Sequence, residues 1–403
     1  MKSKTMIVLP GSSWQIPVIK KSKAMGYRTL VVNPYENSPA FLYADGHLQC
    51  DIFDIEKVMR YCISEKVDGI ISDECDIAMP LIAELGQQLS LPTLNVESAH
   101  LFTDKLAMRD FCVEHGIPSP EYRLCRIIKE AEDFFESLHS QMIIKPLDSN
   151  SSRGVFLIYS KADIQKYFEK TLSYSKIQKA VLAERYIEGP EFTVDGIKTP
   201  DRHFSLAFSE KKHFAHNPNI ACELYFTSCN KIYDYDILAQ QNDLFVNNSP
   251  LQFGLTHAEY KFENGIFYLI EIAARGGGNL ISSHIVPFLS GADNYQYLLD
   301  CCMGHIVSPD FTVPTHYKER SAVLCFFDTP ENEGIVDRIE GLEILDTNPQ
   351  IIEYRFNFNL GDRIQAATTD AERIGFYIAC CDTKDQLDSL MDLIKRNVKV
   401  VCQ

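Results

Sequence analysis

"YLIEIAARGGGNLISSH" (residues 268–284) closes a β-rich apolar run with a carboxylate, Glu271, then a guanidinium four residues on, Arg275, then glycines 276–278. Upstream, "THAEYKFENGIFYLIEIAAR" sets two strand-like runs either side of Glu263-Asn264-Gly265. Read as a three-residue loop with Gly265 left-handed, the hairpin pairs Phe262 with Ile266, Glu259 with Leu269 and His257 with Glu271. Side chains alternate along a strand, so Glu259, His257 and Glu271 are expected on one face, the carboxylates as diagonal neighbours. Two like charges on one face repel unless a cation lies between them, and an oxygen-only pair suits Mg²⁺. Solvation of an exposed face is the simpler alternative; the apolar neighbours argue against it.

Working outward, Lys145 ends the strand-like "MIIKP", and "LDSNSSRGV" follows. The small polar loop with Ser151, Ser152, Arg153 and Gly154 can turn its amides toward an anion, phosphate above all, although it reads equally as an exposed hairpin loop. Lys105, near the start of "TDKLAMRDFCVEHG", can aim a second ammonium at that anion or stay a solvated surface lysine. Thr103 or Asp104 is expected to cap this amphipathic helix, and Gly116 to end it. In "VLAERYIEGPEFTVDG", Glu184 and the backbone of Arg185, Tyr186 and Ile187 can present a hydrogen-bonding edge to a flat heterocycle, with Glu191 accepting from ribose hydroxyls. An ordinary strand–turn–strand remains the alternative.

The first hundred residues alternate strand and helix, which indicates a parallel sheet with crossover connections. Strands are expected at "TMIVL", "RTLVVN", "VDGIIS" and "LPTLN", with helices at "QIPVIKKSKAMG" and "DIAMPLIAELGQQL". The loops "PGSSWQ" and "DECD" fall where such a sheet meets its ligand. Asp73 and Glu74, in the second loop, can bind a substrate ammonium; helix capping by Asp73 is the plainer reading. No GxGxxG fingerprint is present. Beyond residue 100 consecutive strands imply an antiparallel sheet, hence an α+β unit, and the last ninety residues again mix strands with the helix "TKDQLDSLMDLIKRNV". The expected division is 1–100, 101–312 and 313–403.

With 403 residues, 45% hydrophobic and 23% charged, the chain has the make-up of a soluble protein with two or three packed units. No apolar run is long enough to span a membrane, and "MKSKTMIVLPGSSW" is too short in its apolar part for a signal peptide. A net charge of -16 argues against a nucleic-acid partner. Thirteen cysteines without a CxxC pair point to reduced thiols and a cytoplasmic setting.

Lys105, Lys145 with its small-residue loop, "ERYIEGPEFTVD", the Glu259–Glu271 hairpin and "EIAARGGGN" occur in the order and spacing of an ATP-grasp ligase, which the chain therefore resembles. The tail "GIVDRIEG…GDRI…ERIGFYIACCDTKDQLDSLMDLI" is similar to the closing domain of L-amino-acid (dipeptide) ligases. The resemblance implies an ATP-grasp fold behind an N-terminal parallel-sheet substrate domain, with an α+β closing domain after it. It places Lys105 and Lys145 on ATP phosphates, Glu184 and the backbone after it on adenine, Glu191 on ribose, and Glu259 and Glu271 on Mg²⁺, for which Mn²⁺ can substitute. Family members often carry Asn two residues past the second glutamate; this chain has Ala273, which puts a full two-metal site in doubt.

The chemistry implied is phosphorylation of a carboxylate to an acyl phosphate and attack by an amine, with Arg275 and the amides of Gly276 and Gly277, with Gly278, stabilising the oxyanion. His257 and His284 can contact a substrate carboxylate or take the amine proton, or serve as core or surface histidines. Lys211 or Lys212 can reach the γ-phosphate from a mobile loop, or form a solvated pair. The expected partners are a small carboxylate and an amine, and a homodimer is compatible with the resemblance. Biotin-carboxylase-type members, purine-pathway carboxylases, formyl-transferring relatives and glycinamide-ribonucleotide synthetases are set apart by other residues after the arginine. An ATP-grasp ligase for a purine-pathway or sugar-acid substrate, or a non-catalytic nucleotide binder, stays as the alternative.

Overall fold

The computed structural model describes residues 3–147, 153–175, 178–228, 230–329 and 334–403. Its first unit is a parallel sheet of four strands in the order Gly46–Gln49, Arg28–Asn33, Thr5–Val8, Gly69–Ile71. The runs "TMIV", "RTLVVN" and "GII" are buried almost throughout, as expected of strands covered on both faces. Helices Ile16–Ala24 and Ile55–Glu65 make two of the crossovers, and Met79–Leu89 follows the last strand and packs on the sheet. The loop after Gly69–Ile71 carries Asp73, Glu74 and Asp76 at the carboxyl end of the sheet. "LPTLN" forms no strand; its Asn95 instead caps helix Val96–Leu101 by accepting from the Ser98 amide. The local capping bond outweighed a short apolar alternation.

A second, antiparallel sheet has the order Tyr122–Cys125, Val181–Arg185, Met142–Pro146, Phe156–Ile158. Helices Ile128–Leu138 and Lys161–Tyr174 cover it through Phe134, Ile164 and Phe168.

The third sheet is antiparallel with eight strands, in the order Ile266–Ala273, Gly254–Glu263, Glu191–Lys198, His203–Phe214, Asn217–Thr227, Ser321–Phe326, Gly375–Cys381, Ile351–Phe356. Phe192, Tyr260 and Phe267 pack beneath its acid-bearing end, Phe192 and Phe267 edge to face at 5.4 Å. Burying each such ring contributes about 1.5–3 kcal/mol. A small sheet of Arg363–Ile364, Gly334–Glu340 and Lys399–Cys402 closes the chain.

Helix Lys105–Glu114 is capped by Asp104, whose Oδ1 accepts from the Ala107 amide at 2.9 Å, rather than by Thr103. The described cysteines carry free thiols. Among the described residues no helix is long and apolar enough to cross a membrane.

Candidate active site

The hairpin turn is shorter than the sequence reading has it. Asn264 and Gly265 both take positive φ, 51° and 85°, so Glu263 pairs with Ile266 across a two-residue turn that Asn-Gly suits. Continued without interruption, that register would set Glu259 against Ile270 and turn Glu271 to the opposite face. A bulge intervenes: Tyr260 pairs with Leu269, Glu259 pairs with Glu271, and Ile270 is the extra residue. The expected diagonal arrangement is thus corrected to a direct one. Glu259 faces Glu271, and His257 faces Ala273. Both carboxylates remain open, with 32% and 44% of their side chains exposed.

Cations hold this acidic face together. Lys105 Nζ lies 2.8 Å from Glu271 Oε1, and Lys211 Nζ lies 3.2 Å from Glu259 Oε1 while also bonding Glu191. Lys211 belongs to strand His203–Phe214 and not to a mobile loop, and Lys212 points away to Glu223. Glu191, expected to await a ribose, is taken up by Lys211 and approached by His213 at 3.5 Å. Burial would raise its pKa, but Lys211 and His213 hold it below the ordinary value.

Glu184 lies deeper than an adenine contact requires. It is 2% exposed, and both oxygens are engaged: Oε2 with Lys145 Nζ at 2.7 Å, Oε1 with Arg109 Nε at 2.8 Å. Burial would raise this carboxyl, but Arg109 and Lys145 keep it below its usual range. Burial lowers Lys145 to about 8, Glu184 offsetting part of that and Arg109 and Lys105 adding to it. Along the edge that follows, the amides of Arg185 and Tyr186 donate to Glu121 and Gln141 carbonyls. The Ile187 amide has no hydrogen bond among the described residues. Ser151 and Ser152 lie outside the described residues; Arg153 is exposed, and a Cβ on Gly154, at φ 77°, would fall 2.6 Å from Tyr174 Cδ2.

The glycine run after Arg275 is clamped by acids. Asp76 holds the Arg275 guanidinium through two bonds, and the carboxylates around it keep that group charged against the cost of burial. The Gly276 amide donates to Asp73 Oδ1 and the Gly277 amide to Asp195 Oδ1, each at 2.9 Å, so neither is a free oxyanion donor as expected. A Cβ on Gly276 would fall 2.4 Å from Ser282 Cβ, and one on Gly277 2.5 Å from Asp195 Oδ1; at Gly278 it would meet nothing. Two of the three glycines therefore serve close approach.

Asp73, only 1% exposed, also accepts from Tyr295 at 2.6 Å and from Ser282, and it caps no helix. Its position is structural and offers nothing to a substrate ammonium. Glu74, left-handed at φ 56°, accepts the Leu280 amide on both oxygens at 3.1 and 3.2 Å, and Asn279 and Leu280 are left-handed too. Such strained backbone clusters at functional sites. His257 Nδ1 meets Asp195 Oδ1 at 3.0 Å; His284 Nδ1 meets Ser283 Oγ at 2.5 Å, and burial lowers the pKa of His284.

Three residues of this site escape the sequence reading: Arg109, Asp76 and Asp195. Arg109 stands one helical turn beyond Lys105, a spacing that sets it beside a residue already singled out, and Asp195 shares a strand face with Glu191 four residues along.

Residues 138–284 match the model of the ATP-grasp domain, and residues 326–403 that of the L-amino acid ligase C-terminal domain 2. The chain carries an ATP-grasp domain. Its fold is that of solved ATP-grasp structures: an L-amino acid ligase from Bacillus licheniformis superposes with a TM-score of 0.82 at 17% identity over all of both chains. A phosphoribosylglycinamide synthetase from Anaerococcus prevotii gives 0.77 at 18%, again over both whole chains. Among curated proteins, dapdiamide A synthase of Enterobacter agglomerans is 24% identical over 67% of this chain and 61% of its own length. Formate-dependent phosphoribosylglycinamide formyltransferase of Bacillus subtilis is 23% identical over 46% of this chain and 49% of its own length. The chain thus spans about half to three fifths of the length of these curated relatives. Within the ATP-grasp domain lie Lys145, Glu184, Glu191, Glu259, Glu271 and Arg275; Lys105 and Arg109 precede the matched stretch.

Proposed function

We propose that this chain is an ATP-dependent ligase that joins a carboxylate to an amine, with an amino acid as one substrate. The observation that carries the reading is the meeting of Glu259 and Glu271 on one open sheet face beside Lys105 and Lys211, with Arg275 four residues beyond Glu271. The amino-acid preference is supported by the match of the tail to an L-amino acid ligase domain. The division into residues 1–100, 101–312 and 313–403 belongs to the same proposal.

The acid pair fits a hard divalent cation. Its donors are carboxylate oxygens, both partly exposed, and among the described residues no third His, Cys, Asp or Glu joins them. Such a site takes Mg²⁺ with phosphate oxygens and water as the remaining ligands. Ala273, buried opposite His257, offers no oxygen where relatives often have Asn, so one cation suits this donor set better than two. When bound, Mg²⁺ would neutralise phosphate charge.

The protein's own groups then divide the work. Lys145 and Lys105 turn from Glu184 and Glu271 to the phosphates of ATP, and the Ile187 amide with the carbonyls beside it lines the base. A substrate carboxylate oxygen attacks the γ-phosphorus, ADP leaves, and a mixed acyl phosphate remains. The amine attacks the acyl carbon, phosphate departs with the C–O electron pair, and the surplus proton on nitrogen passes to the departing phosphate or to solvent. Arg275, held side-on by Asp76, stabilises the tetrahedral oxyanion.

ADP release measured across a matrix of amino acids and small carboxylic acids, with mass detection of the amide, tests the proposal. ADP and an amide product from at least one pair are expected. No ADP from any pair would overturn it.

A further inference from the structure

Arg109 is wholly buried, yet it reaches two separate parts of the nucleotide site. Its Nε donates to Glu184 at 2.8 Å, and Glu184 in turn holds Lys145. Its Nη2 donates at 2.5 Å to the carbonyl of Ile270, the extra residue of the hairpin bulge. Nη1 is buried without a partner among the described residues. A buried guanidinium with one donor unmet is costly by itself, so packing does not explain it.

The bulge decides where Glu271 points. Without the extra residue Glu271 would leave the face that bears Glu259, because a one-residue slip inverts every side chain beyond it. A bulge also leaves a backbone group unpaired in the ladder, and Arg109 supplies a charged donor to that group.

We propose that Arg109 is the positioning residue that couples the phosphate lysine to the acid pair: one guanidinium fixes Glu184 beneath Lys145 and pins the bulge that turns Glu271 toward Glu259. When Lys145 moves to a phosphate, Arg109 remains as the counter-ion of Glu184, so no lone carboxylate is left in the interior. The proposal rests on the reading of Glu259 and Glu271 as the Mg²⁺-binding pair.

The test is ADP affinity by calorimetry, with and without Mg²⁺, for the full-length protein, Arg109→Lys and Arg109→Met, with thermal unfolding as the control for folding. Arg109→Lys keeps a charge near Glu184 but cannot fork to both acceptors. It is expected to lose about tenfold of the Mg²⁺-dependent gain in ADP affinity, the scale seen when groups orienting metal ligands are removed, with a smaller loss in Mg²⁺-free affinity. Arg109→Met is expected to lose both, and the lysine variant carries the test if the methionine variant does not fold. An unchanged Mg²⁺ gain in folded Arg109→Lys, or equal losses with and without Mg²⁺, would overturn the coupling. Wild-type protein that bound ADP with no Mg²⁺ gain would instead remove the acid-pair reading, and this inference with it.

Discussion

Arg275 and Asp76 meet side-on, Nε to Oδ1 at 2.9 Å and Nη2 to Oδ2 at 3.0 Å, across 199 residues of chain. The pair ties the end of the acid-bearing strand to the loop at the carboxyl end of the parallel sheet, so the guanidinium proposed to clamp the oxyanion is set by the packing of two units. Asp76→Asn keeps the shape but removes the charge and one acceptor. Turnover is expected to fall about tenfold to a hundredfold with ADP affinity within about twofold of wild type, since two charge-assisted bonds of about 1.5–3 kcal/mol are weakened. Arg275→Ala should lose more, about 10²–10³ in rate. Unchanged steady-state ADP release in Arg275→Ala would remove this arginine from the chemistry.

The glycine run separates cleanly under substitution. In Gly277→Ala the new methyl would lie 2.5 Å from Asp195 Oδ1, 2.9 Å from Ile281 Cγ2 and 3.0 Å from His257 Nδ1. Overpacking of this kind costs about 1–3 kcal/mol, and activity should fall with it. Gly278→Ala meets nothing and should match the wild type in thermal unfolding and in rate. Equal tolerance at both positions would contradict the described packing.

Lys145 predicts a pH dependence. Burial lowers its pKa to about 8, so the ammonium present at neutral pH is lost as pH rises through that value. A neutral amine loses the charge-assisted bond to a phosphate. Nucleotide affinity should therefore drop about tenfold or more on the alkaline side of the transition. Lys145→Arg, which cannot deprotonate there, should flatten the profile. Affinity measured against pH for both proteins decides the point, and a flat wild-type curve would refute it.

Glu271→Gln keeps the volume of the side chain while removing one charge from the acid pair and the ionic partner of Lys105. ADP release that depends on Mg²⁺ is expected to disappear, with Mg²⁺-free ADP affinity retained or improved because Lys105 loses its competing ion pair with Glu271. Normal Mg²⁺ dependence would discard Glu271 as a metal ligand.

Much of this was legible in the chain itself. Short β-branched runs separated by helices of nine to eleven residues specify the parallel sheet, and Asn264-Gly265 between apolar runs specifies the hairpin. Strand Asn217–Thr227 escaped because its start, "NPNIAC", carries a proline and reads as a loop, and its strand conformation comes from pairing with neighbours on both sides. The same-face arrangement of Glu259 and Glu271 was expected through the wrong register: a three-residue loop and a two-residue loop with a bulge leave the same parity. Nothing local in "YLIEIA" marks Ile270 as the extra residue, since the group that holds it is Arg109, far back in the sequence. Asp195 reads as one more interior strand residue until Gly277 and His257 arrive beside it.

Strand Asn217–Thr227 pairs directly with Ser321–Phe326, so the tail is woven into the sheet that carries the acids. Cutting the chain after residue 312 would strip three strands from that sheet and leave Glu223–Thr227 as a bare edge with its ladder groups unpaired. An exposed edge of that kind recruits other chains. The shortened protein would be recovered as aggregate rather than as a smaller folded one.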